Sequence, residues 1–388
     1  MSDAPIYHID PAKFWADPYS DLANMRRDAP IAYVPELNAT LLTKRDDVFV
    51  QEKRTEVFSS KQPGGLMTLL MGENMMRKDG AAHMAERRAI FPTVSPRTVR
   101  DVWKAQFEAA TGAVLDRIGA RGSGDLVTDF ALPVAAEALK AITGLTDMPY
   151  LEMDRVSQGM IDGISNHAGD PAIEAHCHDC TASIDAHIDA RMPTLKAKPD
   201  LSLLSVAMKA DMPEEQIRAN IKLAISGGQN EPRDAIAGTI AALLDHPDQL
   251  QMALSGDVTW LAVFEEYARW MSPIGMSPRR IARRDTINGV TFEPEDRAFL
   301  MFGSANRDAD IFDAPERFDV TRDTAKAVSF GAGPHFCAGA WASRCLIAEV
   351  ALPMFFERLK SVALSEPAIF GGWAFRGPLS VKAKWLVQ

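Results

Sequence analysis

Apolar residues recur every three to four positions over most of this chain and every second position over only a few short stretches. The longer period marks 81–90, 99–118, 127–142, 152–164, 173–192 and 214–244, and predicts a helix over each. The shorter one marks 31–35 and 39–43, two strands around Glu36-Leu37-Asn38, and further strands at 286–292, 297–302 and 381–387. A short helix is predicted over 45–53, and connectors at 119–124 and 196–199. Residues 60–76 fit neither period: they carry Pro63-Gly64-Gly65 and four methionines, Met67, Met71, Met75 and Met76. Such flexible, polarisable side chains suit either core filling or a pocket that moulds to an apolar guest. No repeat, low-complexity tract or linker interrupts the pattern. The expectation is a mainly α protein, one helical domain over residues 1–388 with a minor β-sheet region, and not a doubly wound sheet.

Composition narrows the function classes. The 388 residues are 47% hydrophobic with a formal net charge of −10, and the basic residues are scattered, which argues against nucleic acid as a partner. No run of about 18 apolar residues exists, which argues against a membrane span. The first residues lack a basic-then-apolar signal, so a soluble, cytoplasmic protein is expected. Four cysteines, Cys177, Cys180, Cys337 and Cys345, are too few for a disulfide framework in so long a chain. His176-Cys177-His178-Asp179-Cys180, with His187 beyond, contains a Cys-x-x-Cys that can be half a metal site. No second pair follows at zinc-finger spacing, and helical signals flank it on both sides, so one continuous structural helix is the favoured reading.

The densest chemistry lies at 330–339, Phe-Gly-Ala-Gly-Pro-His-Phe-Cys-Ala-Gly. Cys337 follows a glycine-rich bend and opens an apolar segment, 338–352. Free N–H donors and the partial positive charge of a helix start favour S⁻ over SH. Gly331, Gly333 and Gly339 let backbone approach a flat, bulky partner. A thiolate held in this way is the axial ligand that activates heme iron. A lone cysteine is more often a small buried hydrophobe. A dinucleotide loop is disfavoured because Phe336 stands where the third glycine belongs.

Phe330, Gly333, Cys337 and Gly339 match Phe-x-x-Gly-x-x-x-Cys-x-Gly, the signature of the cytochrome P-450 family of heme-thiolate monooxygenases, which this chain resembles. Glu266-Tyr267-Ala268-Arg269 is similar to that family's Glu-x-x-Arg pair, and Pro315-Glu316-Arg317-Phe318 to the segment whose arginine completes the same ion-pair cluster. Order and spacing agree, and the likeness runs from about Asp10 to the C-terminus. The resemblance implies the cytochrome P-450 fold, heme b (iron protoporphyrin IX) as cofactor and Cys337 as the metal ligand, with Phe330 and Gly339 framing it. His83 and Arg87 share a helix face and match a His-x-x-x-Arg that binds heme propionates; Arg280 and His335 match two further propionate donors. From the residues alone, His83 and Arg87 would sit on a solvated face with Glu86 and Arg88. The chemistry asks for such donors, because buried carboxylates without cationic partners are costly and arginine forks suit them.

One stretch departs from the family. Its members usually carry Ala-Gly-x-Asp/Glu-Thr-Thr on the long helix, where the acid and first threonine deliver protons during oxygen activation. Residues 227–232 read Gly-Gly-Gln-Asn-Glu-Pro. Aligned on Gly228, Asn230 replaces the acid and Glu231 the alcohol, which makes Gly228, Asn230 and Glu231 the catalytic candidates. Pro232 should open the helix locally. Glu231 can relay protons, its pKa raised by a dry site. It can serve as acid and base towards hydrogen peroxide, or it can turn away and be capped by Arg233 or the preceding turn.

Asn-Glu-Pro resembles the Gln-Glu-Pro of bacterial aromatic O-demethylases that act on methoxyphenols such as guaiacol. The stretches 303–306, 327–333 and 371–378 continue that likeness. It implies a small aromatic or apolar substrate, dioxygen or hydrogen peroxide as oxidant, and release of formaldehyde; a terpene or alkylbenzoate is the alternative substrate. With no flavin or iron–sulfur motif, electrons would come from a separate ferredoxin or reductase. The competing classes are a non-enzymatic heme sensor, for which the lost acid–alcohol pair speaks, and a catalytically silent ligand binder.

Overall fold

The computed structural model describes residues 2–166 and 168–387. The chain forms two compact units, each assembled from segments that alternate along the sequence. The first takes Met1–Gln62, Gly238–Cys337 and Pro367–Val381; the second takes Pro63–Ala237, Ala338–Glu366 and Lys382–Gln388.

The first unit is built on a five-stranded sheet. Ile31–Val34 pairs antiparallel with Ala39–Leu42, as the hairpin pattern predicts. Ala39–Leu42 runs parallel to Arg297–Leu300, which pairs antiparallel with Ser277–Ile281, and Phe58–Ser59 closes the order. Side chains alternate between the faces of a strand, and here both faces meet apolar cores. Ile31, Leu42, Ala298 and Leu300 join a cluster with Phe58 and Phe292. Ala32, Leu41, Phe299 and Met301 join another with Phe14, Leu22 and Met25. Ala39–Leu42 is therefore buried at every position. The 286–292 stretch is a small hairpin, Asp285–Ile287 with Val290–Phe292.

The second unit is mostly helical. The predicted helices appear as Gly80–Val94, Lys104–Gly119 behind a π turn, Leu132–Thr143 behind another, Tyr150–Ser165 and Pro171–Ala197. The connector expected at 119–124 includes a strand, Ser123–Asp125, that pairs with Lys382–Leu386. The 60–76 stretch resolves into the helix Leu66–Met71 and a 3-10 turn Met75–Arg77. Met67 and Met71 point into the core, and Met75 packs against it.

The helix expected over 214–244 is two helices, Glu214–Ser226 and Asn230–Asp245. The break falls at the glycines and not at the proline. A side chain at Gly228 would place Cβ 2.4 Å from the carbonyl oxygen of Ala224 and 2.9 Å from Leu139 Cδ1. Pro232 is the third residue of the new helix, within the first turn, where the N–H groups have no intrahelical acceptor and the missing one costs nothing.

Candidate active site

Within the first unit the cysteine loop turns on two left-handed glycines, Gly331 at φ 72° and Gly333 at φ 63°. A Cβ on Gly333 would lie 2.9 Å from Lys53 Cγ and 3.1 Å from Lys53 Cα, so space and φ both demand glycine there. The Cys337 N–H donates to the Phe330 carbonyl at 2.9 Å. The Phe330 ring stands 6.2 Å from Phe264 and 6.3 Å from Phe336. Under the loop lies an ion pair that sequence reasoning missed. Glu52 and Arg279 are both buried and meet at 2.5 Å, and the other Glu52 oxygen accepts from the Ala332 N–H at 3.5 Å. A lone glutamate in a short helix and the first of two adjacent arginines offer no pattern that would single them out.

The donor set fits heme b. Cys337 is the exposed cysteine of the four, while Cys177, Cys180 and Cys345 are buried. Burial pushes the Cys177 and Cys345 thiols up to about 11, which keeps them neutral and inert. Cys337 instead stands exposed after the left-handed glycines Gly331 and Gly333.

Glu266 and Arg269 lie on the helix Trp260–Met271, have fully buried side chains and form two bonds at 2.7 and 2.8 Å. Arg269 also donates to the carbonyls of Asn306, Pro315 and Arg317. The expected third member, Arg317, is corrected. Its side chain is 72% exposed and pairs with Asp319, and only its carbonyl reaches the cluster. The arginine that meets Glu266 is Arg322, at 3.3 Å with its side chain 9% exposed. Arg322→Ala should therefore destabilise the protein by about 2 kcal/mol, because it strips a buried carboxylate of a charged donor. Arg317→Ala should stay within about 0.5 kcal/mol. Chemical denaturation of the two variants checks this, and equal effects would refute the reassignment.

The propionate candidates divide between the units. In the second, His83 is buried and its Nδ1 meets the Met75 carbonyl at 2.9 Å, while Arg87 is half-buried one turn on. Their face is not a solvated one: Glu86 is buried, ion-paired to Lys78 and bonded by Asn220 Nδ2 at 2.7 Å. In the first unit His335 ends the 3-10 turn Gly333–His335 and is half-buried. Arg280 is engaged by Glu295 and donates to the Lys61 carbonyl at 2.9 Å, so a propionate would have to displace an existing carboxylate.

Around the helix break the second unit places Asn230 and Glu231 differently. Asn230 is fixed to the neighbouring helix Tyr150–Ser165: Ser157 Oγ donates to its Oδ1 at 3.2 Å, and its amide donates to Gln158 Oε1 at 3.1 Å. Arg233 is spent on Asp154 at 3.1 Å and Asp234 at 2.9 Å, so it does not cap Glu231. Glu231 is the contrast. Both carboxylate oxygens are buried with no hydrogen-bond partner in another residue. Burial pushes its pKa up from 4.5 to about 7, with the Asp234 charge adding to it. Asn230 thus acts as a fastener, and Glu231 is the group left with chemistry to offer.

These features define a heme-thiolate oxidoreductase on a mainly helical scaffold. The family description "Cytochrome P450" matches residues 258–359, a stretch that carries the Glu266–Arg269 pair, Arg322 and the cysteine loop. Cytochrome P450 107B1 of Saccharopolyspora erythraea is 26% identical over 388 residues, spanning 93% of this chain and 92% of its own. Steroid C26-monooxygenase of Rhodococcus jostii is 27% identical over 350 residues, 83% of this chain and 72% of its own. The solved structure of P450BioI bound to an acyl carrier protein ligated with hexadec-9Z-enoic acid superposes with a TM-score of 0.88 at 22% identity, covering 96% of this chain and all of that one. The chain has the cytochrome P450 fold, and its likeness to members of that family along most of its length supports an oxidoreductase whose cofactor is heme b, bound through a cysteine thiolate. Among the described residues no helix is long and apolar enough to cross a membrane.

Proposed function

We propose that this chain O-demethylates a small aromatic ether such as a methoxyphenol, with Cys337 as the iron ligand and Glu231 as the group that handles protons. Bound heme b supplies oxygen activation. The loop N–H groups after Phe330 would tune the sulfur, and His83, Arg87 and His335 would neutralise the propionates, with Arg280 joining them only by exchanging Glu295 for a propionate. Gly228 keeps the helix break open, and Asn230 fastens it to the neighbouring helix. Hydroxylation of the methoxy carbon gives a hemiacetal, which collapses to the phenol and formaldehyde. The alternation of segments between the two units supports treating residues 1–388 as one functional domain. Electrons come from a separate ferredoxin or reductase.

The observation that carries this reading is Glu231, a dry carboxyl poised near neutrality where the family keeps an alcohol. The tail likeness at 371–378 carries less. A Cβ on Gly371 would fall 2.4 Å from the Trp15 ring, and Gly372 is left-handed at φ 88°, so packing alone accounts for both glycines. The steroid, vitamin D(3), epothilone and hexadec-9Z-enoic acid in the names of relatives and neighbours belong to those proteins.

The same carboxyl favours a second reading, peroxide-driven oxygenation, because a group with a pKa of about 7 can both accept and return a proton at neutral pH. Formaldehyde release from guaiacol and its homologues should be measured with reductase and dioxygen, and again with hydrogen peroxide alone. Stoichiometric formaldehyde in the first assay supports monooxygenation, and comparable rates in the second support the peroxide route. No formaldehyde in either, with heme loaded and thiolate-ligated, would overturn the aromatic-ether assignment.

A further inference from the structure

The helix Pro171–Ala197 carries a cluster that the heme chemistry does not use. His176, Asp179 and Cys180 each offer one ligand atom, and all three atoms lie within 4.8 Å of one another. His176 Nε2 and Cys180 Sγ are 3.7 Å apart. A tetrahedral ion holding sulfur at about 2.3 Å and nitrogen at about 2.0 Å sets the two about 3.5 Å apart, so this pair already has the spacing of shared ligands.

The surroundings preserve that geometry. Cys180 is fully buried while His176 and Asp179 are exposed, so the sulfur lies on the inner side of the cluster and the other two donors on its outer side. The neighbouring helix Tyr150–Ser165 meets the cluster with glycine: a Cβ on Gly159 would lie 2.4 Å from Cys180 Sγ and 3.1 Å from His176 Nε2. Burial raises the Cys180 thiol pKa first of all; the charge of Arg155 opposes this, and those of Asp179, Glu152 and Asp162 add to it. Arg155 Nη1 donates to Asp179 at 2.7 Å and to Cys180 Sγ at 3.6 Å, while its Nη2 and Nε hold Glu152 through two bonds at 2.7 and 2.8 Å. Its Nη1 can therefore release both Asp179 and Cys180 while the guanidinium remains paired to Glu152. His178 is turned towards Glu174 and takes no part.

We propose that His176, Asp179 and Cys180 form a binding site for a borderline-soft divalent cation of the Zn²⁺ type, with three protein ligands and water in the fourth position. Binding displaces the Cys180 thiol proton to solvent and moves Arg155 wholly onto Glu152. Three ligands on two turns of one helix make an exchangeable site, unlike the closed four-ligand sites that hold a fold together.

The test is Zn²⁺ titration of the full-length, heme-loaded protein in competition with a chromophoric chelator, with X-ray absorption at the zinc edge as a readout that heme iron does not disturb. One Zn²⁺ per chain is expected, with one sulfur at about 2.3 Å in its shell. Cys180→Ser should abolish the sulfur shell, and His176→Gln should weaken binding more than about tenfold. Cys177→Ser, whose sulfur faces Gly163, should bind as the parent does. His176 is exposed, so its variant keeps the test decisive if Cys180→Ser folds poorly. Absence of stoichiometric binding, a zinc shell without sulfur, or parental affinity in His176→Gln would overturn the proposal.

Discussion

Cys337→Ser is expected to remove the strongly red-shifted Soret band of the reduced carbon monoxide complex and to lower turnover at least about a hundredfold. A serine hydroxyl stays protonated at any pH the fold survives, and its oxygen is a hard, weakly donating ligand. The iron then loses the electron release that a thiolate provides. Local structure should survive the change, because the bend is set by Gly331 and Gly333, by the backbone bond from Cys337 N–H to Phe330, and by Glu52 beneath. None of these involves the sulfur. Cys345→Ser is the control: its thiol is buried and pushed up to about 11, so it cannot supply a thiolate at neutral pH, and its band should match the parent's. A thiolate-type band that persists in Cys337→Ser, or vanishes in Cys345→Ser, would displace Cys337 from its proposed role.

The helices were legible because each buries one stripe, and a stripe shows as a period in the chain. The strand Ser277–Ile281 was not. Ser-Pro-Arg-Arg shows no apolar alternation, and Pro278 pairs only with Phe299, because the short strand on the other side reaches no further than Ser59 and Phe58. The proline sits where no second partner needs its missing N–H. The cysteine loop was legible because glycine spacing and the thiol lie in one decapeptide. The groups that hold it, Glu52 and Arg279, come from distant segments and meet only in the folded state. Arg317 and Arg322 show the same limit. Both lie in one short segment, and which one turns inward is decided by Arg269, which captures the carbonyl of Arg317 and leaves its side chain outside.

Glu231→Gln is expected to lower turnover about a hundredfold or more while stabilising the protein at alkaline pH. Both effects follow from the same burial. In the unfolded chain the carboxyl titrates near 4.5, and in the folded protein near 7. Between those values the folded state binds more protons than the unfolded one, so stability falls as pH rises through the window. By pH 8 the loss amounts to about 3 kcal/mol, as an order of magnitude. Glutamine has the same shape and no charge to desolvate. The variant should therefore be more stable than the parent at pH 8, with the difference shrinking towards pH 5. Asp234 is also raised by burial and is common to both proteins, so its own desolvation cancels, and what remains in the comparison is the Glu231 shift together with its interaction with Asp234. Catalysis should move the other way. Below about 7 the parent carries a proton it can donate, so its turnover should decline as pH rises past that value, whereas the glutamine variant should be slow with no such inflection. Melting curves and pH–rate profiles of the two proteins test both halves. Unchanged turnover and coupling in Glu231→Gln would remove Glu231 from the chemistry, and a stability difference that ignores pH would mean its carboxyl is not held dry. If both effects appear together, the fold keeps a carboxyl it would be more stable without because the reaction needs its proton.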